Sequence, residues 1–580
     1  DNLRLSFNYK KEGLEMSIWA LGIHIGHDRG ACLVKDGIVM VSIPQERLDR
    51  IKHSRAMSLP YEAIDAVLKY CRIQPKQINC IGLSADAMEP GSITSIMQQE
   101  FFQHYQCRVP FYSVDHHLSH AESVYSMASN EKRLILIADG GGDIYGQQAQ
   151  AESLYLGCNG KITLLEQRLQ DPPKRKLADI QNHVYPLIPK EMQKQQISLA
   201  RKYEQFTYLL GFGFGEAGKT MGLASYGKKM LSTFNPNYQD LSFSLTFGDL
   251  LDQIYAKELC SGDTHFTYLE RQKEDIAFTV QKFTEKALVS LIGNLAGKYQ
   301  IDNFSLAGGL FLNCLSNHKI LECCHINKLD IFPAAGDDGQ AIGNAIHAYK
   351  MFVDYQSAIQ ISLPYLGLSY SDIEIEKAIK SKNLKYEKLT DNELAKKLAY
   401  EIANGKIVGL SRGRTEIGPR ALCHRSILAD ATNPAMKDIL NMRIKHREEF
   451  RPFAPVTKFD TQFKFFDLKA DSPFMLLCAN VKSDYQNILS SVTHIDNTAR
   501  IQAVKKNEES FIYNLLTCFE QIKGVPVLLN TSFNIAGQPI VESPESALQT
   551  FLSTPLDILV VENYIICKEN ITTFYDSKKK

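Results

Sequence analysis

Three predicted strands, each leading into a glycine-containing turn with polar side chains, constrain the fold of this chain more than any other feature. The runs LILIADGGGD at 134–143, FSLAGGLFLNCLSN at 304–317 and LDIFPAAGDDGQ at 329–340 all have this form. In open α/β sheets the carboxyl ends of the strands meet at one edge, where ligands bind. The three turns therefore predict a two-lobed α/β fold with a ligand site at the strand ends.

The glycines of these turns are candidates for contact with a phosphate group. A peptide N–H without a side chain in the way can approach an anion closely, as it does at many nucleotide sites. We predict that this role falls to Gly140, Gly141, Gly308 and Gly309, with Asn313 beside them.

A pair of histidines adds a possible metal site. In VDHHLSHAESVYSM at 114–127, His116 and His120 share one face of a predicted helix at i,i+4 spacing. Two imidazoles so placed can hold a transition metal, and Asp139 at the strand end could be a third ligand. The alternatives are two histidines without a ligand role, or an aspartate that caps the turn or binds Mg²⁺ without any histidine.

A second feature is the basic stretch from Gly409 to Pro455, in which eight arginines and lysines are candidates for binding a phosphate group. They are Arg412, Arg414, Arg420, Arg425, Arg443, Lys445, Arg447 and Arg451. Gly418-Pro419-Arg420 is typical of a rigid turn, and arginine forks bind phosphate bidentately. We interpret the stretch as a phosphate-handling pocket, with a solvated basic face as the alternative.

Composition limits the class of protein. At 580 residues we expect two or more domains. The formal net charge of zero argues against a general nucleic-acid or membrane-surface binder, and no apolar run is long enough to span a bilayer. Thirteen cysteines without a C-x-x-C pair indicate reduced thiols and a cytoplasmic protein. We interpret residues 1–17 as an extension or remnant, since Met16 could be the natural start.

The segment GFGFGEAGKTMGLASYGK at 211–228 resembles part of a phosphate loop, with Gly215, Gly218, Lys219 and Thr220 in suggestive positions. The spacing between glycines that a Walker motif needs is absent. We therefore reject a P-loop NTPase.

Several motifs together carry a family resemblance. The sequence contains, in order, HDRGACLV, RIKH, HHLSHA, DGGGD, GKTMGLASYG, AGGLFLN and PAAGD, then GRTEIGPRALCHRSILAD and VLLNTSFN. These resemble the O-carbamoyltransferases of antibiotic, nodulation-factor and toxin biosynthesis over most of residues 18–570. Cys423-His424 departs from the family, which more often has Gly-Asn there, and so does His446-Arg447.

The resemblance implies the architecture. It gives an actin-like, TsaD-like two-lobed domain at 18–355, a linker at 356–368, and an α/β YrdC-like domain at 369–580. In such proteins the C-terminal domain converts carbamoyl phosphate and ATP to carbamoyl adenylate and pyrophosphate. The N-terminal domain then transfers the carbamoyl group to a hydroxyl of a small secondary metabolite.

The resemblance also implies residue roles. A metal is implied on His116, His120, Asp139 and Asp337; the family points to Fe(II), whereas the ligand set alone would also suit Mn or Zn. Mg²⁺ would accompany ATP. We predict His27 as base for the acceptor hydroxyl, Lys52 as partner of the leaving phosphate and Arg420 as a catalytic cation of the first step. The remaining predicted substrate contacts are Lys445, Arg451, Met475, Arg500, Asn530 and Ser532.

The acceptor cannot be read from the sequence, because the loops around 145–205 and 230–275 carry no general code. An alternative enzyme is a TsaD-type tRNA threonylcarbamoyl transferase with a fused adenylate-forming domain, which the neutral charge disfavours. A sugar kinase of the actin-like class leaves the C-terminal half unexplained, and a carbamoyl-phosphate or nucleotide sensor leaves the matched motifs unexplained. A homodimer is the default expectation.

Overall fold

The computed structural model describes residues 17–128, 131–172, 194–232, 235–246, 267–354, 359–361 and 363–570. The predicted N-terminal extension lies outside the described residues except for residue 17. The predicted linker is described only at 359–361 and 363–368, so its bounds stay a prediction.

The first sheet, at the N-terminus, has five strands in the order β3-β2-β1-β4-β5. They are β1 (Trp19–Ile25), β2 (Gly30–Lys35), β3 (Ile38–Pro44), β4 (Cys80–Ala85) and β5 (Phe111–Ser113). β1, β2 and β3 are antiparallel neighbours, and β4 and β5 extend the sheet in parallel with β1. The turn between β2 and β3 is Asp36-Gly37 with both residues at positive φ, as a two-residue type I′ hairpin requires.

The second sheet repeats this topology. Its strands are β6 (Arg133–Ala138), β7 (Ile144–Tyr145), β8 (Gln148–Cys158), β9 (Lys161–Gln170), β10 (Asn303–Ala307) and β11 (Lys328–Ile331). β9, β8 and β6 form an antiparallel series, and β10 and β11 follow in parallel on the other side of β6. The central strand of each sheet thus has a meander on one side and parallel strands on the other.

Nine helices accompany these sheets in the described residues. They are α1 (Glu46–Asp49), α2 (Tyr61–Cys71), α3 (Thr94–Tyr105), α4 (His116–Tyr125), α5 (Leu199–Leu209), α6 (Ala217–Ala224), α7 (Thr267–Tyr299), α8 (Cys314–Cys323) and α9 (Gln340–Val353). Short 3₁₀ turns occupy Pro75–Gln77, Gly309–Leu312 and Asp337–Gly339.

Two of these helices position the strand-end site. The Asp115 side chain caps α4 by accepting a hydrogen bond from the Leu118 N–H at 2.8 Å. α9 lies so close to α4 that a Cβ on Gly343 would come within 1.9 Å of the Ser119 carbonyl oxygen. This close contact holds the histidine face of α4 against the start of α9, which directly follows Asp337.

The C-terminal half is built on a mixed sheet in the order β12-β21-β20-β13-β14-β19-β15-β18, with a separate β16-β17 pair. The strands are β12 (Glu387–Lys388), β13 (Val408–Ser411), β14 (Arg425–Asp430), β15 (Ala454–Lys458), β16 (Cys478–Asn480), β17 (Thr498–Arg500), β18 (Gln502–Val504), β19 (Val527–Ser532), β20 (Ile558–Val561) and β21 (Tyr564–Cys567). β19 forms the first six residues of the VLLNTSFN motif.

The helices of this half are mostly short. They are α10 (Asp372–Ser381), α11 (Asp391–Ala403), α12 (Met436–Leu440), α13 (Gln462–Phe465), α14 (Ser483–Gln486), α15 (Ser510–Lys523) and α16 (Pro544–Ser553), with a π turn at Asn441–Lys445 and 3₁₀ turns at Phe459–Thr461 and Lys568–Asn570. Capping boxes start α10 and α11, each with Glu at the third helical position.

The two halves pack against each other through polar and apolar contacts. Arg47 donates to the Gly418 carbonyl at 3.0 Å, and Arg414 donates to the Met40 carbonyl at 2.6 Å. One cluster of buried apolar residues includes Leu310 of the N-terminal half together with Ile444 of the C-terminal half. The α/β class predicted from the sequence is confirmed.

None of the helices in the described part of the chain combines the length and the apolar character needed to cross a bilayer.

Candidate functional site

The four predicted metal ligands converge at the ends of β6 and β11. His116, His120, Asp139 and Asp337 place one donor atom each within 4.8 Å of the others. The His116 Nε2 atom lies 3.3 Å and the His120 Nε2 atom 3.2 Å from Asp337 Oδ1, and His116 Nε2 lies 3.7 Å from Asp139 Oδ2. The structure therefore brings these four distant residues together, and their ligand role stays a prediction.

The donor atoms fit a metal ion. Buried polar atoms normally have a hydrogen-bond partner, yet His116 Nε2, both ring nitrogens of His120 and Asp337 Oδ1 have none. All four residues are at most 9% exposed. Two imidazoles and two carboxylates suit Fe(II), Mn or Zn, and the donor set alone does not choose between them.

Neighbouring groups orient these ligands. His116 Nδ1 lies 3.4 Å from the Ala85 carbonyl oxygen, and a proton on Nδ1 leaves Nε2 free to face the centre. The Gly309 N–H donates to Asp139 Oδ1 at 2.6 Å. Burial alone would raise the pKa of Asp337, but His116 and His27 hold it well below its usual range. The carboxylate is thus held in its charged form, which is the form that binds metals.

His27 lies beside this cluster, at the end of β1. Its Nε2 atom is 3.2 Å from Asp337 Oδ2, and its Nδ1 atom is 3.1 Å from Asp28 Oδ2. Asp28 also contacts His53 Nδ1 at 2.8 Å through its other oxygen. Burial alone would lower the pKa of His27, but Asp86, Asp337 and Asp28 outweigh it and raise the pKa. These carboxylates strengthen His27 as a base.

Two acidic residues near His27 were not singled out from the sequence. Asp86 directly follows β4. Its carboxylate accepts a hydrogen bond from the His27 backbone N–H at 2.5 Å and lies 3.1 Å from His24 Nε2. Glu204 of α5 accepts from the Tyr208 hydroxyl at 3.1 Å, and its carboxylate lies 3.8 Å from where a Cβ on Gly140 would be. Asp86 had a detectable signal, since it directly follows a strand; Glu204 had none, because it lies inside an ordinary helical pattern.

Lys52 is the predicted catalytic residue that the fold leaves on the surface. Its side chain is exposed, and no ion pair or hydrogen bond to it occurs among the described residues. It follows α1, close in sequence to His53, so a role with bound substrate stays a prediction.

The predicted nucleotide turns are in contact with the cluster and with each other. The Gly308 N–H donates to the Ala335 carbonyl, and the Gly140 carbonyl accepts from Gln170 at 3.1 Å. Asn313 caps α8 by accepting from the Ser316 N–H at 3.0 Å, and its amide also donates to Gln281 at 2.9 Å. Gly141 lies between Gly140 and Gly142, and a Cβ atom added to it would have the Gln170 side chain as its neighbour.

Part of the basic stretch forms a cluster of buried cations. Burial, with the nearby charge of Arg500, lowers the pKa of Arg420 to about 9. Burial and the charges of Arg451 and Arg500 likewise lower the pKa of Arg447 to about 9. The Nε atoms of Arg420 and Arg500 are buried without a hydrogen-bond partner. Desolvated guanidinium groups that repel one another make a strong site for an anion.

Lys445 extends this cluster towards β19. Its ammonium group donates to the Ser532 carbonyl at 2.5 Å and to Asn534 Oδ1 at 2.9 Å. Asn530 donates to Gln502 Oε1 at 2.8 Å, while its own Oδ1 atom is buried without a partner. Met475 is buried at positive φ and packs near Ala454. Arg451 reaches Glu448 at 3.7 Å.

Other cations of the stretch have structural roles. Arg425 donates to the carbonyls of Arg412 and Gly413, and Arg414 donates to the Gly367 carbonyl at 3.0 Å. Their guanidinium groups are therefore used to hold backbone segments together. The sequence predicted the pocket but could not separate these arginines from Arg420, since all lie in one turn-rich segment.

The two polar centres are joined by one four-residue 3₁₀ turn, Gly309–Leu312. Its first N–H binds Asp139 of the candidate metal centre. Its last carbonyl, that of Leu312, accepts from Arg420 at 3.3 Å. The turn thus spans from the histidine–aspartate cluster to the cation cluster.

Comparisons with known proteins identify the family of this chain. The family models for the carbamoyltransferase N-terminus and the carbamoyltransferase C-terminus match residues 93–346 and 399–568. An uncharacterised protein of Synechocystis is 30% identical over 93% of this chain and 95% of its own length. Nodulation protein NolNO of Sinorhizobium fredii is 32% identical over 93% of this chain and 79% of its own length.

A 3'-hydroxymethylcephem-O-carbamoyltransferase of Amycolatopsis lactamdurans is 34% identical over 41% of this chain and 43% of its own length. Among solved structures, HypF of T. kodakarensis gives a TM-score of 0.40 at 16% identity, over 59% of this chain and 49% of that chain. The two family models and the two relatives matched over nearly the whole chain show that this protein belongs to the carbamoyltransferase family.

Proposed function

We propose that this carbamoyltransferase uses ATP and carbamoyl phosphate to form carbamoyl adenylate and transfers its carbamoyl group to a hydroxyl of a small molecule. The observation that carries the proposal is the Gly309–Leu312 turn, which links the histidine–aspartate cluster to the cation cluster. A mixed anhydride that forms at one centre and reacts at the other needs the two centres to be close, because water would hydrolyse it on a long exposed path.

The cation cluster is the proposed place of the first step. Carbamoyl phosphate and ATP together carry more negative charge than one guanidinium group can balance. Arg420, Arg500 and Arg451 lie within electrostatic range of one another. Water first hydrolyses carbamoyl phosphate to carbamate and phosphate. Carbamate then attacks the α-phosphate of ATP; the P–O bond to pyrophosphate breaks and carbamoyl adenylate forms.

Lys445, Ser532 and Asn530 are the proposed contacts to the nucleotide from β19. Their hydrogen bonds hold the strand end in a defined shape, and the free Oδ1 atom of Asn530 is available to accept a bond from a substrate. Met475 lies in the same wall of the pocket.

The histidine–aspartate cluster is the proposed place of transfer. A metal bound to His116, His120, Asp139 and Asp337 would supply positive charge that holds the adenylate; Fe(II) is our proposal, with Mn or Zn as alternatives. The glycines at 140–141 and 308–309 would let the adenylate approach, and Mg²⁺ would accompany ATP.

His27 would remove the proton from the acceptor hydroxyl at one of its ring nitrogens. The hydroxyl oxygen then attacks the carbamoyl carbon, and the C–O bond to the adenylate phosphate breaks to release AMP. Proton removal by His27 is favoured because Asp28 and Asp337 stabilise the imidazolium that forms. Lys52 would neutralise charge on the leaving phosphate.

The finer architecture belongs to the same proposal. The repeated strand order of the two N-terminal sheets supports an actin-like, TsaD-like two-lobed domain. We propose a YrdC-like fold for the C-terminal half because that half carries the cation cluster. The relatives named above for nodulation and for cephem carbamoylation support a hydroxylated small molecule as acceptor, in a cytoplasmic protein that could act as a homodimer.

The test is product analysis with the full chain. With ATP and carbamoyl phosphate but no acceptor, we expect pyrophosphate release that depends on both substrates. A panel of hydroxylated natural products would then be searched by mass spectrometry for the carbamoyl mass gain and for AMP. ADP as the nucleotide product, or pyrophosphate release without carbamoyl phosphate, would contradict the proposal.

A further inference from the structure

Two cysteines face each other where the N-terminal and C-terminal halves meet. Cys314 is the first residue of α8, and Cys478 is the first residue of β16. Their Sγ atoms lie 2.9 Å apart although the residues are 164 positions apart in the chain. Both are buried, Cys314 at 1% and Cys478 at 7% exposure. A disulfide needs a sulfur separation of about 2.05 Å, so a small shift would bring the pair into bonding distance.

The charge environment makes the two thiols unequal. Cys478 donates its S–H to Cys314 and is paired in register with Arg500 across β16 and β17. This hydrogen bond, with the charges of Arg500 and Arg420, outweighs burial and lowers the pKa of Cys314 to about 7. The hydrogen bond and burial raise the pKa of Cys478, which stays a thiol. A thiolate beside a thiol is the arrangement that oxidises to a disulfide.

Other cysteines do not share this environment. Burial raises the pKa of Cys80 to about 12 and that of Cys71 to about 11. Cys423 is also buried and its pKa is raised. Among the cysteines in the described ranges, Cys314 is the one whose pKa is lowered.

We propose that Cys314 and Cys478 are a reversible disulfide-forming pair that links the two halves of the chain. The oxidant is a hydroperoxide, small enough to reach a buried site. The Cys314 thiolate attacks one peroxide oxygen, the O–O bond breaks, and the departing hydroxide takes a proton from solvent, which leaves Cys314 as a sulfenic acid. The Cys478 thiol then attacks that sulfur; the S–O bond breaks and the hydroxyl leaves as water with the thiol proton. Two thiols lose two electrons, and hydrogen peroxide becomes two waters.

The link would restrict motion between the halves. It would join α8, which follows the Gly309–Leu312 turn, to the β16–β17 pair that carries Arg500. Closing a loop of 164 residues removes much of the freedom of the unfolded chain. The oxidised protein is therefore expected to unfold several degrees higher than the reduced protein.

The experiment maps thiols in the full chain. Reduced protein is treated with hydrogen peroxide at roughly equal concentration, blocked with N-ethylmaleimide, digested without reductant and analysed by mass spectrometry. We expect a peptide linked through Cys314 and Cys478 as the main oxidation product, lost again after dithiothreitol. Recovery of both cysteines as maleimide adducts, under conditions that oxidise other thiols, would overturn the proposal.

Variants test the order of the steps. In Cys478→Ser, Cys314 has no partner, and we expect dimedone to trap it as a sulfenic acid; in Cys314→Ser, Cys478 is expected to stay reduced. Cys518→Ser, a change in α15 away from the pair, should form the link as the wild type does. Dimedone labelling of Cys478 in place of Cys314 would contradict the assigned roles. The wild-type mapping needs no variant, so poor folding of a variant leaves the central test intact, and none of these readouts depends on carbamoyl transfer.

Discussion

The guanidinium group of Arg420 donates a hydrogen bond to the backbone carbonyl of Leu312 at 3.3 Å, which places a cation of the C-terminal half on a turn of the N-terminal half. The other end of the same turn binds Asp139. A change at Arg420 therefore affects both the anion pocket and the segment that contacts the candidate metal centre.

Replacing Arg420 with alanine is expected to lower pyrophosphate release from ATP and carbamoyl phosphate by about 10²–10³-fold, because a desolvated cation facing the developing charge is lost. The measurement is a coupled pyrophosphate assay. Arg443→Ala is the matched control, since Arg443 lies in the same stretch and, within the described part of the chain, its one hydrogen bond is a 3.5 Å contact to the exposed Pro555 carbonyl. A normal rate in Arg420→Ala would remove Arg420 from the first step.

Replacing His27 with asparagine is expected to separate the two steps. The cation cluster is untouched, so pyrophosphate release should continue, whereas transfer to an acceptor should be lost with the proton acceptor. Product mass spectrometry and the pyrophosphate assay are read on the same sample. His104→Asn, whose ring stacks on Tyr61 in the first lobe, serves as control. Unchanged transfer in His27→Asn would show that another group is the base.

The double change His116→Ala with His120→Ala is expected to abolish bound metal, because it removes both nitrogen donors of the cluster. Elemental analysis of protein purified with added Fe(II), Mn or Zn measures occupancy and shows which metal is retained. His325→Ala, an exposed histidine, should keep full occupancy. Metal bound at the wild-type ratio in the double variant would assign the pair a structural role.

Replacing Lys350 with methionine is expected to destabilise the fold by about 3–5 kcal/mol, because it leaves the buried Glu122 carboxylate of α4 without its cation. Lys350 Nζ lies 2.7 Å from Glu122 Oε2, with both side chains at most 10% exposed. Denaturant unfolding measures the change. Lys380→Met removes an exposed i,i+4 pair with Glu376 and should change the free energy of unfolding far less, because solvent screens that pair.

The same pair predicts a pH dependence. Burial would raise the pKa of Glu122, but Lys350 and His347 outweigh it and lower the pKa. The pKa of Glu122 is lower in the folded state than in the unfolded state. The ion pair therefore contributes its full stabilisation of the fold above about pH 4.3, and this stabilisation is lost as the pH falls through the folded pKa. In Lys350→Met this acid-side loss should be much smaller. Parallel acid-unfolding curves would contradict the assignment.

Gly308→Ala is expected to disrupt the strand-end turn and destabilise the folded protein, whereas Gly297→Ala is expected to stabilise the folded protein. Gly308 has φ +99°, and an added Cβ would lie 2.3 Å from the Ala138 carbonyl oxygen. Gly297 lies within α7 with nothing within 4 Å of an added Cβ, so alanine there should gain about 0.5–1 kcal/mol. Thermal unfolding of the two variants checks the opposite signs.

The sequence predicted the strand-end turns well because their pattern is local. The predicted strands before these turns are β6, β10 and β11. β6 and β10 end directly before Asp139 and Gly308, whereas β11 ends at Ile331, five residues before Gly336. The i,i+4 spacing of His116 and His120 likewise needed only one helix.

What the sequence could not show depends on long-range packing. Arg414 and Arg420 have the same local pattern, but one binds backbone carbonyls near residue 366 and the other faces Arg500. Glu204 and the Cys314–Cys478 pair carry no local signal either, because Glu204 approaches the site through the distant Gly140 and the two cysteines are 164 residues apart. Lys52, predicted to be catalytic, lies on the surface, and only bound substrate can test its role.

The repeated strand order of the two N-terminal sheets has a mechanical consequence. His27 and Asp86 extend from the first sheet, whereas Asp139 and Asp337 extend from the second. A rotation of one lobe against the other, even by a few degrees, would lengthen the 3.2 Å gap between His27 and Asp337 before it altered either sheet. The distance between the candidate base and the candidate ligands is thus set by how the two sheets are placed against each other.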